Sequence, residues 1–156
     1  MFRAPSTLVA KVPVANVLGD IGPGHKIAFN ILNMGRLKLG AGVIGAMKLQ
    51  TANALEYARD RKQFATPVLR FPLIREKLAR MATAIFAIES MTYRTSGLID
   101  AKLAGEDKSA ADYEQKTIAA IEEFAIEASI MKVAGSEALG AVIDELLRRY
   151  YSYRKA

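Results

Sequence analysis

Apolar and small residues recur along most of this chain at alternating spacings of three and four, the repeat of a helix with one face turned inward. From about residue 24 to residue 61, Ala28, Leu32, Gly35, Leu39, Val43 and Ala46 mark such a face. A second run, from about Leu73 to Leu103, carries Ile74, Leu78, Met81, Ile85 and Ile88 in the same rhythm. A third begins near Ala110 and continues towards the end through Ile118, Ile121, Ala125, Ala128, Gly135, Leu139, Val142 and Leu146. Between the first two lies a loop from Lys62 to Pro72, punctuated by Pro67 and Pro72. The polar stretch Gly105 to Ser109 separates the second from the third.

Three long helices joined by short connections predict a mainly α protein, an up-and-down bundle. Ala, Ile, Met and Leu occur on more than one face of the first and third helices, which fits elements buried on several sides in a larger bundle or an oligomer. Residues 1–23 read differently. Leu8 to Val14 favours extended chain, but Pro13 confines it to an edge or a connector. A lone strand with unpaired edges predicts a remnant of a larger sheet domain and its linker, followed by a helical bundle domain over residues 24–156.

Glycine is unusually frequent in the first helix, at Gly35, Gly40, Gly42 and Gly45. Each costs about 1 kcal/mol of helix stability relative to alanine. Either close helix packing or a ligand against the backbone accounts for them, and packing is the preferred expectation.

Composition narrows the function classes. With 51% hydrophobic residues in 156, the chain is not disordered as a whole. It has no cysteine, so disulfides, thiolate metal sites and cysteine nucleophiles are excluded. A net charge of +6 favours anionic partners. The basic residues are nevertheless interspersed with Asp and Glu, which argues against a nucleic-acid-binding stripe. The most apolar stretch, Leu37 to Leu49, is interrupted by Lys38 and Lys48 and falls short of a span of about 20 residues. No transmembrane segment is expected, and the opening residues lack the apolar core of a secretory signal.

Few residues suggest chemistry. His25 is the single histidine, beside a Gly-Pro-Gly turn, and reads as a helix-start residue. No metal site is expected, since there is no second imidazole and no Glu-x-x-His pair. Gly19 to Gly24 lacks the Lys-Ser/Thr ending of a phosphate-binding loop and reads as a turn. The run Arg59-Asp60-Arg61-Lys62-Gln63-Phe64 is more suggestive, with two guanidiniums, an ammonium, an amide and an aromatic at a helix end. Arginine can grip a phosphate through paired hydrogen bonds. Ordinary termination of a helix by basic residues explains the same run.

Several ordered motifs resemble the acyl-CoA dehydrogenase family. Val12-Pro13-Val14-Ala15-Asn16-Val17-Leu18-Gly19 is similar to the stretch leading from that family's β-domain into its helical domain. Leu32-Asn33-Met34-Gly35-Arg36, Tyr57-Ala58-Arg59-Asp60-Arg61-Lys62-Gln63-Phe64, Phe71 to Met81, and Ala128 to Ala138 follow in the family's order. The resemblance covers about residues 8 to 146 and is closest to the very-long-chain branch. It implies FAD as cofactor and α,β-dehydrogenation of a fatty acyl-CoA, with electrons passed to an electron-transferring flavoprotein. It implies a homo-oligomer in the cytoplasm, or in the mitochondrial matrix of a eukaryote. By the same resemblance Arg61 reaches the FAD pyrophosphate of a neighbouring subunit, and Gln63 and Phe64 adjoin it. Phe71 and Pro72 fall at further cofactor-side positions. Asn33 and Arg36 match positions near the acyl-CoA site, and Ala65 stands where the family has glycine.

The departures from that pattern predict an inactive piece. In some branches the catalytic glutamate occupies the position of Gly35, and in others it lies after the third helix. Here that helix runs into Arg148-Arg149-Tyr150-Tyr151-Ser152-Tyr153-Arg154-Lys155-Ala156. No catalytic residue is assignable. The basic-aromatic tail reads as a frayed helix end, with a shifted reading frame or an anion-binding tail as alternatives. The rival to an enzyme fragment is a non-enzymatic helical module for oligomerisation or partner binding.

Overall fold

The computed structural model describes residues 11–19, 21–22 and 24–151, with the side chains of residues 147–151 excepted. The expected strand residues before Lys11 and the basic-aromatic tail's side chains lie outside the described residues. Helix α1 spans Gly24–Asp60 and is followed by a two-stranded hairpin, β1 Lys62–Gln63 and β2 Thr66–Pro67. Helices α2 Pro72–Leu103, α3 Tyr113–Glu123 and α4 Ala125–Tyr151 complete the order. The described part of the β-favouring run, Lys11 to Val14, forms no strand. Pro13 instead precedes a single 3-10 turn at Val14–Asn16.

Local chemistry sets the helix ends. Pro72 occupies the first turn of α2, where its missing N–H costs nothing, and Phe71 before it is extended, as a residue preceding proline must be. Arg59 lies in the last turn of α1, where a cation meets the negative end of the helix. In the link between α2 and α3, Asp107 Oδ1 accepts from the Ser109 backbone N–H at 2.9 Å and from its hydroxyl at 2.7 Å. These bonds hold the Asp107 carboxyl below its ordinary value. Lys116 reaches back to Glu106 and to Asp112, 3.3 Å away, and both carboxylates raise its pKa.

The third predicted helix is two helices. Phe124, at φ −99° and ψ 23°, leaves helical geometry and separates α3 from α4. Its backbone N–H turns to Ile121 O at 3.3 Å. The buried positions Ala120, Ala128 and Met131 keep one apolar register across the break, so periodicity alone does not reveal it.

α1 is the central element, packed chiefly against α4 and then α2. Val43, Ile44 and Met47 of α1 meet Met81, Ile85 and Ile88 of α2 and Val142 of α4 in one core. Burying such a side chain stabilises the fold by about 1.5–3 kcal/mol. The α2 face agrees with the sequence pattern. In α1 the buried face is rotated from the predicted one: Leu32 and Leu39 are 53% and 43% exposed, while Asn30, Asn33, Gly40 and Met47 are buried. Leu and Gly spaced three and four apart cannot say which of two apolar faces a neighbour covers. Ion pairs tie the helices at their edges, Lys48 to Glu89, Lys77 to Glu145 at 2.7 Å, and Lys102 to Glu123.

Candidate functional site

Two separate places carry the residues singled out by sequence. The first is the hairpin beyond α1. Arg61 enters it with its backbone N–H donating to Tyr57 O at 2.9 Å and its carbonyl accepting from the Val68 N–H at 2.8 Å. Lys62 pairs with Pro67 and Gln63 with Thr66, leaving Phe64 and Ala65 as the two-residue turn. Both have left-handed backbone, at φ 51° and 59°. That is the requirement of the tight hairpin turn whose twist matches the strands, normally met by Asn-Gly or Gly-Gly. Two non-glycine residues held there cost about 1–3 kcal/mol each. Thr66 Oγ1 donates to Phe64 O at 3.3 Å and helps fix the turn.

The strained turn presents rather than buries its side chains. Phe64 is 86% exposed, and Arg61, Lys62 and Gln63 are exposed around it. Asp60 is engaged by Arg59, with Nε to Oδ1 at 2.9 Å, which lowers the carboxyl and raises the guanidinium. The hairpin thus offers cations, an amide and an aromatic face on a rigid turn. Such a donor set fits an anionic ligand with a planar group. Phe71 and Pro72 stand at the junction with α2.

The second place lies on the first half of α1. Arg36 Nη1 donates to Asn33 Oδ1 at 2.8 Å. Asn33 is buried, so its carbonyl oxygen orients the guanidinium. A Cβ at Gly35 would meet nothing within 4 Å. Beside it a cavity of about 440 Å³ opens between α1 and α3, lined by Ile27, Asn30, Ile31, Lys38, Ile118 and Ile121 among others. Sequence reasoning missed this groove. Asn30 among isoleucines was its one signal, a buried amide with no apolar reason to be there.

The two places are not brought together. Arg36 and Arg61 are separated by 25 residues of chain, nearly all of it the continuous α1, or about 38 Å. Within one chain they do not form a single site. No group of His, Cys, Asp and Glu able to hold a metal occurs among the described residues. No helix among them is long and apolar enough to cross a membrane.

A central helix packed against two others, with a basic-aromatic hairpin at its end, defines a mainly α domain of the helical-bundle type. Residues 22–149 match the family model of the acyl-CoA dehydrogenase C-terminal domain, and the chain belongs to the acyl-CoA dehydrogenase family. It is 45% identical over 147 residues to a probable acyl-CoA dehydrogenase of Bacillus subtilis (strain 168), covering 92% of this chain and 24% of that protein. It is 40% identical over 138 residues to the mitochondrial very long-chain specific acyl-CoA dehydrogenase of Rattus norvegicus, covering 88% of this chain and 18% of the relative. Its fold matches an acyl-CoA dehydrogenase of Bacillus anthracis solved in complex with FAD, with a TM-score of 0.84, 46% identity, and coverage of 91% of this chain and 24% of the other. The chain therefore spans about a quarter or less of the length of these relatives.

Proposed function

We propose that this chain supplies the C-terminal helical domain for FAD-dependent α,β-dehydrogenation of a fatty acyl-CoA. The observation that carries the reading is the Phe64–Ala65 turn, strained at two successive residues while its aromatic ring faces outward. Packing within the chain gives no return for that strain, whereas a ligand contact does. Arg61 binds the pyrophosphate of FAD held by a neighbouring subunit, with Gln63 and Phe64 against the adjoining part of the cofactor. When bound, FAD supplies the hydride acceptor for the dehydrogenation. At the other end of α1, Arg36, oriented by Asn33, binds the acyl-CoA.

Proton abstraction is assigned to no residue of this chain, because the backbone at Gly35 carries no base. Catalysis accordingly needs parts of the protein beyond this domain, and electrons leave to an electron-transferring flavoprotein. The compartment that goes with this reading is the bacterial cytoplasm or the mitochondrial matrix.

Titration of the purified chain with FAD, followed by its visible spectrum and fluorescence anisotropy, tests the proposal. Weak saturable binding that is lost in Arg61→Ala and reduced in Phe64→Ala is expected. FAD binding indifferent to both substitutions would assign the hairpin to helix termination alone. Adding an acyl-CoA should leave the flavin oxidised.

A further inference from the structure

We propose that the cleft between the second half of α2 and the first half of α4 binds a small zwitterion, an α-amino acid with an apolar side chain such as leucine. The cleft has a volume of about 260 Å³. That is the scale of a small-molecule site. Met91, Thr95 and Leu98 of α2 and Ile130 and Met131 of α4 line it. Spacings of three and four put each set on one side of its helix. The walls are mostly thioether and aliphatic, and the two methionines adapt readily to the shape of a short apolar group.

Thr95 is the sign of a polar ligand. It is only 5% exposed, and its hydroxyl makes no hydrogen bond among the described residues. By contrast, Thr83, Thr92 and Thr117 donate to the carbonyl four residues earlier, at 2.9, 2.8 and 2.9 Å. Thr95 makes no such bond to Met91. Unlike the sealed hydroxyl of Thr51, it belongs to the wall of an open cleft. A buried hydroxyl without a partner is costly unless something else fills that role.

Two opposite charges complete the site. Arg94 and Glu127 also line the cleft, one from each helix. Both are exposed, and neither forms an ion pair or a side-chain hydrogen bond among the described residues. Elsewhere the same two helices do pair directly, Lys77 with Glu145 at 2.7 Å. A cation and an anion kept apart across one cleft select a ligand that carries both signs. A phosphate or a simple carboxylate would be opposed by Glu127, and a metal ion or a simple amine by Arg94. A zwitterion satisfies both. Its carboxylate accepts from the Arg94 guanidinium and the Thr95 hydroxyl, its ammonium donates to Glu127, and its side chain lies against Leu98 and Ile130. None of these residues belongs to the hairpin or to the groove beside Gly35, so binding here is separable from the cofactor reading.

The chain has six methionines, and isotopic labelling of their methyl groups lets magnetic resonance read the site directly. L-Leucine added to the purified chain should shift the signals of Met91 and Met131, which line the cleft. Those of Met47 and Met81, in the main core, should stay in place. The titration should give a Kd of about 0.1–1 mM, the range for a ligand of so few atoms. 4-Methylpentanoate lacks the ammonium and 3-methylbutylamine lacks the carboxylate, and each should bind about tenfold or more weakly. Arg94→Gln and Glu127→Gln should each weaken L-leucine by about tenfold. Thr95→Val keeps the shape and removes the hydroxyl. It should weaken L-leucine by about threefold to tenfold while leaving the melting temperature unchanged or higher. No shift at Met91 and Met131 with L-leucine, L-methionine or L-phenylalanine at about 10 mM would overturn the proposal. So would either analogue binding as tightly as L-leucine, or a titration indifferent to both Arg94→Gln and Glu127→Gln. Circular dichroism of each variant confirms that the helices persist.

Discussion

Gly135 of α4 lies over Gly40 of α1, so that a Cβ added to Gly135 would stand 3.8 Å from the Gly40 Cα and 2.9 Å from Val43 Cγ2. A Cβ at Gly40 would in turn come within 3.1 Å of Met131 Cβ. Here the two most extensively packed helices cross backbone on backbone. Val43 is β-branched and stiff in a helix, so it cannot swing aside. Gly135→Ala should therefore destabilise the fold by about 1–3 kcal/mol despite the better helix propensity of alanine. Thermal denaturation by circular dichroism measures it.

The opposite sign is expected a few residues away. A Cβ at Gly35, Gly42 or Gly45 would meet nothing within 4 Å. Alanine at any of them should stabilise by about 0.5–1 kcal/mol through helix propensity and a less flexible unfolded chain. The same denaturation series checks both signs. A drop in stability at Gly42 or Gly45 would show that another chain or segment packs on that face.

This contrast shows what the sequence could and could not convey. Gly35, Gly40, Gly42 and Gly45 read alike in the sequence, but only Gly40 among them holds a neighbour at close range, because closeness depends on what α4 brings opposite. The α2 face was legible from Met81, Ile85 and Ile88, since one apolar stripe admits one inward orientation. α1 carries two such stripes, and Leu32 and Leu39 turned out exposed. At the hairpin the residue types of Arg61, Gln63 and Phe64 suggested a ligand loop. The left-handed pair at Phe64 and Ala65 was hidden, because neither residue type favours that backbone. The Arg36 to Asn33 bond follows from helical spacing, whereas the groove under Asn30 needed the position of α3.

Ala65 should carry measurable strain. At φ 59° it occupies a conformation that glycine adopts without penalty. Ala65→Gly should raise stability by about 0.5–1 kcal/mol, the left-handed cost removed less the entropy glycine adds to the unfolded chain. Urea titration would register it as a higher midpoint at unchanged slope. Equal or lower stability would mean that the turn is not strained.

The α2–α3 link should respond to acid. The folded carboxyl of Asp107 lies below its ordinary 3.8 because it accepts two bonds from Ser109. A depressed carboxyl contributes stability that is present above its unfolded pKa and lost as pH falls through the folded value. Asp107→Ala should accordingly be less stable than the parent at neutral pH, and the two should converge as pH drops below 3.8. Melting curves across that range give the answer, and a difference that persists in strong acid would point to packing instead of charge.

Thr51 offers a gain in the middle of α1. Its Oγ1 is buried and has no hydrogen-bond partner among the described residues. A buried hydroxyl left unpaired costs about 1–3 kcal/mol in lost hydration. Valine has the same branched shape without the polar atom, so Thr51→Val should stabilise by about 1 kcal/mol. Thr51→Ser keeps the hydroxyl, drops a methyl and should lose stability. If valine also loses stability, the hydroxyl must find a partner in solution, and high-resolution crystallography of the parent would then show a water bound to it.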